Sequence, residues 1–209
     1  MTMTTVVPSC PKDASQISQW LNEAHHWFRI AGDKRLSRNK LVQARTKVMA
    51  FLQGILQSQP LHAAALSLKY RVELAAGHNL AALGTLRRLV RTRPRDAEIL
   101  MAHGQTALLT KHFGEAEAAF QAVLARQTDR ADAYCGIAAA RLGQHDHTGA
   151  FLRATSLYGR GFRSSLLYST IEDAARHLGY DRHQPQSEAL LIELLQDSQV
   201  DIEAFVAGR

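Results

Sequence analysis

The sequence predicts an all-α protein made of a repeated helix–turn–helix unit, and three observations predict it. A shift of 34 residues lines the chain up with itself: Gly77, Lys111, His145 and Gly179 align, as do Ala82, Ala116 and Ala150, then Leu86, Phe120 and Ala154. Each unit also reads as two amphipathic halves. In Ala97–Tyr134, Ile99, Leu100, His103, Gly104 and Ala107 recur at helical spacing in the first half, and Ala116, Phe120 and Leu124 in the second. Finally, Pro60 and Pro94 each follow a second helix, where a residue without an N–H ends a helix at little cost. A period of this length means that each unit buries its apolar face on its neighbours.

These residues resemble the tetratricopeptide repeat (TPR), a helix, a turn and a helix with small residues where the helices cross. The unit 63–96 carries Leu66, Gly77, Ala82, Leu86 and Pro94 in the family's order. The unit 97–130 keeps Leu100, Gly104, Ala116 and Phe120, with Lys111 at the turn, and 131–164 keeps Tyr134, Ala138, Ala150 and Ala154, with His145 there. The resemblance implies a right-handed α-solenoid of about three to four units with N- and C-terminal capping helices. One domain is expected over 13–209, with a divergent unit at about 29–62, a partial one at 165–180 and a C-terminal cap at 186–207.

Taken in order, residues 1–12 lack periodicity and are expected to be disordered. Asp13 or Ser15 caps a helix whose apolar stripe is Ile17, Trp20, Leu21, Ala24, Trp27 and Phe28. That helix is expected to cover the open edge of the first repeat, because terminal repeats need caps. Trp20, Trp27 and Phe28 offer a partner site if it does not. Ser37 or Asn39 then opens a helix through Val42, Val48, Leu52 and Ile55 to Pro60. After the three full units, 164–178 continues the register as a further first helix, and Leu190, Leu191, Leu194 and Leu195 belong to the C-terminal cap. The stretch Tyr158-Gly-Arg-Gly-Phe-Arg163 is looser than a repeat junction.

Composition narrows the function classes. With 209 residues, 46% of them apolar and 21% charged, the chain suffices for one globular domain. Cys10 and Cys135 supply neither a disulfide framework nor zinc spacing, and a reducing, cytoplasmic setting is expected. Neither a signal peptide nor a long uncharged apolar run is read from the sequence. The net charge of +6 favours an acidic partner.

No catalytic constellation and no cofactor motif stands out, so the chain is expected not to be an enzyme. His145-Asp146-His147 is the nearest approach to a metal cluster, but it lies at an expected turn with no further ligand of known spacing, and no metal is expected. His25 and His26 are adjacent and diverge on a helix. The glycines at 77, 143, 159 and 161 follow no strand and form no nucleotide-binding pattern.

The TPR resemblance also implies a binding groove lined by first helices. Position by position, it assigns ligand contacts to Ser67, Arg71 and Leu74, then to Met101, Gln105, Leu108 and Leu109, then to Cys135 and Leu142, and last to Asp173 and Arg176. The family's Lys–Asn clamp for acidic C-termini is absent, since Ser67 with Arg71 and Met101 with Gln105 stand in its places. An apolar floor suits an extended peptide or a helix laid in through a few anchors. A second candidate is basic: Arg87, Arg88, Arg91, Arg93 and Arg95, with Lys34, Arg35, Arg38, Lys40, Arg45 and Lys47 before them. Such a stripe could follow nucleic acid or an anionic membrane, although no aromatic residues interleave with it; a soluble outer face is the simpler reading.

The expected function is therefore a non-catalytic scaffold binding another protein, with a homodimer also open. Three alternatives stand beside it. The chain also looks like the N-terminal arm of, or an adaptor for, an enzyme such as a SAM-dependent methyltransferase. It resembles chaperones of type III secretion, which tend to be acidic. Nucleic-acid binding by the basic outer face is the third.

Overall fold

The computed structural model describes residues 11, 13–33 and 35–179, and among them all regular structure is α-helical. The expectations for most of 1–12 and for the C-terminal cap at 186–207 lie outside the described residues. Packing divides the chain into two compact units, Met1–Ile99 and Leu100–Arg209.

In the first unit, α1 (Ala14–Ala31) and α2 (Arg38–Ser58) form a long helical hairpin. The Asp13 carboxylate accepts from the Gln16 N–H at 2.8 Å and caps α1. The connection falls at 32–37, so the pair preceding the clear repeats is α1 with α2. The hairpin is closed by small against large: a Cβ on Gly54 would stand 2.3 Å from the Trp20 ring, which also meets Phe51 edge-on at 5.9 Å. α3 (Ala63–Ala75) packs against α1, α2 and α4 (Asn79–Thr92), with Leu52, Ile55, Leu66, Leu68, Leu83 and Leu86 fully buried.

α5 (Ala97–Leu109) begins at the division, capped by Asp96, whose carboxylate accepts from the N–H groups of Glu98 and Ile99. In the second unit follow α6 (Phe113–Leu124), α7 (Ala131–Gly143), α8 (His147–Gly159) and α9 (Ser165–His177). α7 packs on α6, α8 and α9, around Ala138, Ala150, Phe151, Ala154, Leu157, Leu167 and Ile171. Phe120 fills the space that Gly104 and Gly136 leave: a Cβ on either would stand 2.7 Å and 2.4 Å from its ring.

The repeat seen in the sequence is a repeat of structure. First helices begin at Ala63, Ala97, Ala131 and Ser165, and second helices at Asn79, Phe113 and His147, each series at intervals of 34. The turn residues Gly77, Lys111, His145 and Gly179 all have positive φ, of 77°, 61°, 66° and 97°. That conformation ends a helix by turning the next N–H groups back on its last carbonyls. His78, His112 and Asp146 accordingly donate to Glu73, Ala107 and Arg141 at 2.8, 2.8 and 3.0 Å.

Candidate functional site

The first helices of the two units present different side chains. In the first, Ser67 and Leu74 on α3 are half-buried, and Arg71 is exposed with its guanidinium 5.0 Å from the Phe28 ring centre. Phe28 and Trp27 on α1 are thus each covered by a cation, Trp27 by Lys47 at 3.7 Å. Behind this face, Glu73 is 4% exposed and fully bonded. The Lys69 ammonium lies 2.5 Å from one carboxylate oxygen, and the Thr85 hydroxyl donates to the other at 2.7 Å.

In the second unit, α5 presents exposed Gln105, half-buried Leu108, and Leu109 with 65% of its surface open to solvent. Leu142 is half-buried, and Arg176 pairs with Asp173 at 2.8 Å, so those two charges offset each other. Met101 and Cys135 are only 4% exposed. The expectation that these two line an open face is corrected: Cys135 belongs to the apolar core of α7–α9, and its thiol lies 3.9 Å from the Ser164 hydroxyl. Burial pushes that thiol's pKa up, against the Ser164 hydrogen bond, which lowers it.

Of the arginine cluster, Arg87, Arg91, Arg93 and Arg95 are exposed on the end of α4 and the loop after it. Arg88 is half-buried and donates to the Pro60 carbonyl, and Arg93 lies 4.0 Å from Asp96. Arg88 therefore holds a loop in place.

Two clusters in the second unit join residues that the sequence presents only separately. His147, at the start of α8, stacks on His177, at the end of α9, with centroids 4.3 Å apart and planes 9° from parallel, and His145 meets His147 edge-on at 5.9 Å. Partial burial, then the nearby His177 and His145, push the His147 pKa down, and Asp146 opposes them. Stacked rings direct their lone pairs side by side, and among the described residues no group of three or more His, Cys, Asp or Glu side chains is set to hold a metal ion.

The other cluster gathers Tyr134 from α7, Tyr158 from α8, Phe162 and Arg163 from the junction, and Tyr168 from α9. The Arg160 guanidinium lies 5.5 Å from the Phe162 ring centre and 6.0 Å from that of Tyr134. Arg163 lies 3.8 Å over Tyr158, which meets Tyr168 at 5.9 Å. Its signal was the interval of 34 between Tyr134 and Tyr168, which places both one turn into a first helix.

Among the described residues no helix is long and apolar enough to cross a membrane. No family model and no curated protein matches the sequence. Among solved structures, the chain is similar to the crystal structure of MamA, a TPR-type protein, at 18% identity and a TM-score of 0.58, over 84% of this chain and 91% of that one. The likeness extends to the fold: the chain is an all-α helical repeat of the solenoid type, similar in fold to a TPR protein.

Proposed function

We propose that the chain is a non-catalytic scaffold that binds a peptide or a helix of a partner protein along its first helices. One observation carries the reading: α5 leaves Gln105, Leu108 and Leu109 accessible together, with Leu109 65% exposed at the end of a helix whose other apolar side chains are mostly buried. An apolar side chain this open suits an anchor point better than a core position. Burying one aliphatic anchor stabilises a complex by about 1.5–3 kcal/mol. Several anchors are needed to exceed an association cost of about 4 kcal/mol or more. Taken by itself, α3 of the first unit offers contacts of the same kind in Ser67, Arg71 and Leu74.

A photo-crosslinking residue at Gln105, compared with one at the exposed Ala118 on α6, tests this. A defined protein crosslinked from Gln105 and not from Ala118 supports it; crosslinking from Ala118 alone contradicts it.

A further inference from the structure

The Tyr158–Arg163 junction departs from the other repeat junctions in chemistry. The corresponding stretch after α6 is Leu124-Ala-Arg-Gln-Thr-Asp129, and that after α4 is Val90-Arg-Thr-Arg-Pro-Arg95, neither with an aromatic side chain. Here the rings of Tyr134 and Phe162 stand against the Arg160 guanidinium, and Tyr158, which meets Tyr168 on α9, stands against that of Arg163.

The two arginines are not equivalent. Arg163 donates to the carbonyls of Tyr158 and Phe162, at 2.6 and 2.8 Å, and so closes the end of α8. Arg160 is exposed and lies over rings, and no described carboxylate pairs with it. A guanidinium held against aromatic faces keeps its N–H edge free for a planar anion, which it binds through two parallel hydrogen bonds. Tyr168, 43% exposed, adds an accessible ring that meets Tyr158 edge-on at 5.9 Å. Tyrosine and arginine around a partly buried centre are the residues that dominate protein interfaces.

We propose that this junction is a docking site for an acidic peptide segment of a partner protein, with a carboxylate on Arg160 and an apolar side chain against Tyr168 and Phe162. Charge selects the occupant. The loop and first turn before Tyr134 carry exposed Asp129 and Asp132, which repel a continuous phosphate backbone and tolerate an isolated carboxylate. A nucleic-acid strand needs a track of cations, and of the two guanidinium groups here that of Arg163 is turned onto the carbonyls of Tyr158 and Phe162. The site is separate from the α5 face, so either can fail without the other.

The test is fluorescence anisotropy on the full chain with short labelled peptides that carry one Asp or Glu flanked by Leu or Phe. The same peptides with Asn and Gln, an oligo-uridylate and vesicles containing anionic lipid are the comparisons. The acidic peptides are expected to bind best. Arg160→Glu and Tyr168→Ala are each expected to weaken them at least about tenfold, while Ala118→Glu on α6 leaves them unchanged. Arg163 stays intact because it closes α8, and unchanged thermal unfolding of the Arg160 variant verifies the fold. Equal binding of the amide peptides, indifference to Arg160→Glu, or tighter binding of the oligonucleotide or vesicles would overturn the proposal.

Discussion

The ring of Phe120 lies so close to Gly136 that a Cβ there would stand 2.4 Å from ring carbon Cε2. Alanine is ordinarily the better helix residue, by roughly 0.5–1 kcal/mol. In α7 the sign reverses, because the ring is fully buried and also confined by Gly104. Gly136→Ala is expected to destabilise the chain by about 1–3 kcal/mol through overpacking. Gly84→Ala in α4, where an added Cβ meets nothing within 4 Å, is expected to stabilise it by up to about 1 kcal/mol. Urea unfolding of the two variants measures the contrast.

Lys111 and His145 hold the left-handed conformation that Gly77 and Gly179 hold at the equivalent turns. A side chain there costs about 1–2 kcal/mol. Lys111→Gly and His145→Gly are each expected to raise the unfolding free energy by about 1 kcal/mol, and Gly77→Ala to lower it by a similar amount. Equal loss from all three replacements in thermal unfolding would contradict this.

The carboxylate of Glu73 depends on Lys69 and Thr85. Lys69→Met strands it, and breaking a buried pair in this way costs about 3–5 kcal/mol, less here because the Lys69 side chain is 22% exposed. Lys69→Met combined with Glu73→Leu is expected to cost less than Lys69→Met alone, because no buried charge is left over. Denaturant titration of the single and double variants gives the comparison.

Acid is expected to weaken the second unit through His147. Its folded pKa is lowered, so below the ordinary histidine value of about 6.5 the unfolded chain binds more protons. The contribution is complete above that pH and is lost as pH falls through it towards the lower folded value. The charged and titratable groups acting on it are His177 on α9 and His145 and Asp146 at the turn. Thermal unfolding between pH 8 and pH 5 should show a smaller drop for His147→Gln than for the wild type.

Helix positions were legible because the period is a property of the chain: Ala82, Ala116 and Ala150 recur wherever a second helix crosses its partner. Less legible was what each face meets. Met101 is four residues before Gln105, and a helical wheel gives both the same face, yet one is buried and the other exposed. Likewise Arg88 reads as one more surface cation until its hydrogen bond to the Pro60 carbonyl is seen. Burial depends on neighbouring helices, which one helix's spacing does not encode. The His147–His177 stack and the Arg160 cluster join residues from different helices, and composition offered only their parts.

The most direct test of the scaffold reading is retention of partner protein from native lysate by the wild type, by Leu109→Glu and by Arg87→Glu with Arg91→Glu, at low and high salt. The account predicts a defined protein retained by the wild type and by the double arginine variant at both salt concentrations, and lost from Leu109→Glu. Retention that survives Leu109→Glu but disappears with the arginine variant or with salt would contradict it, and would move binding to the exposed end of α4.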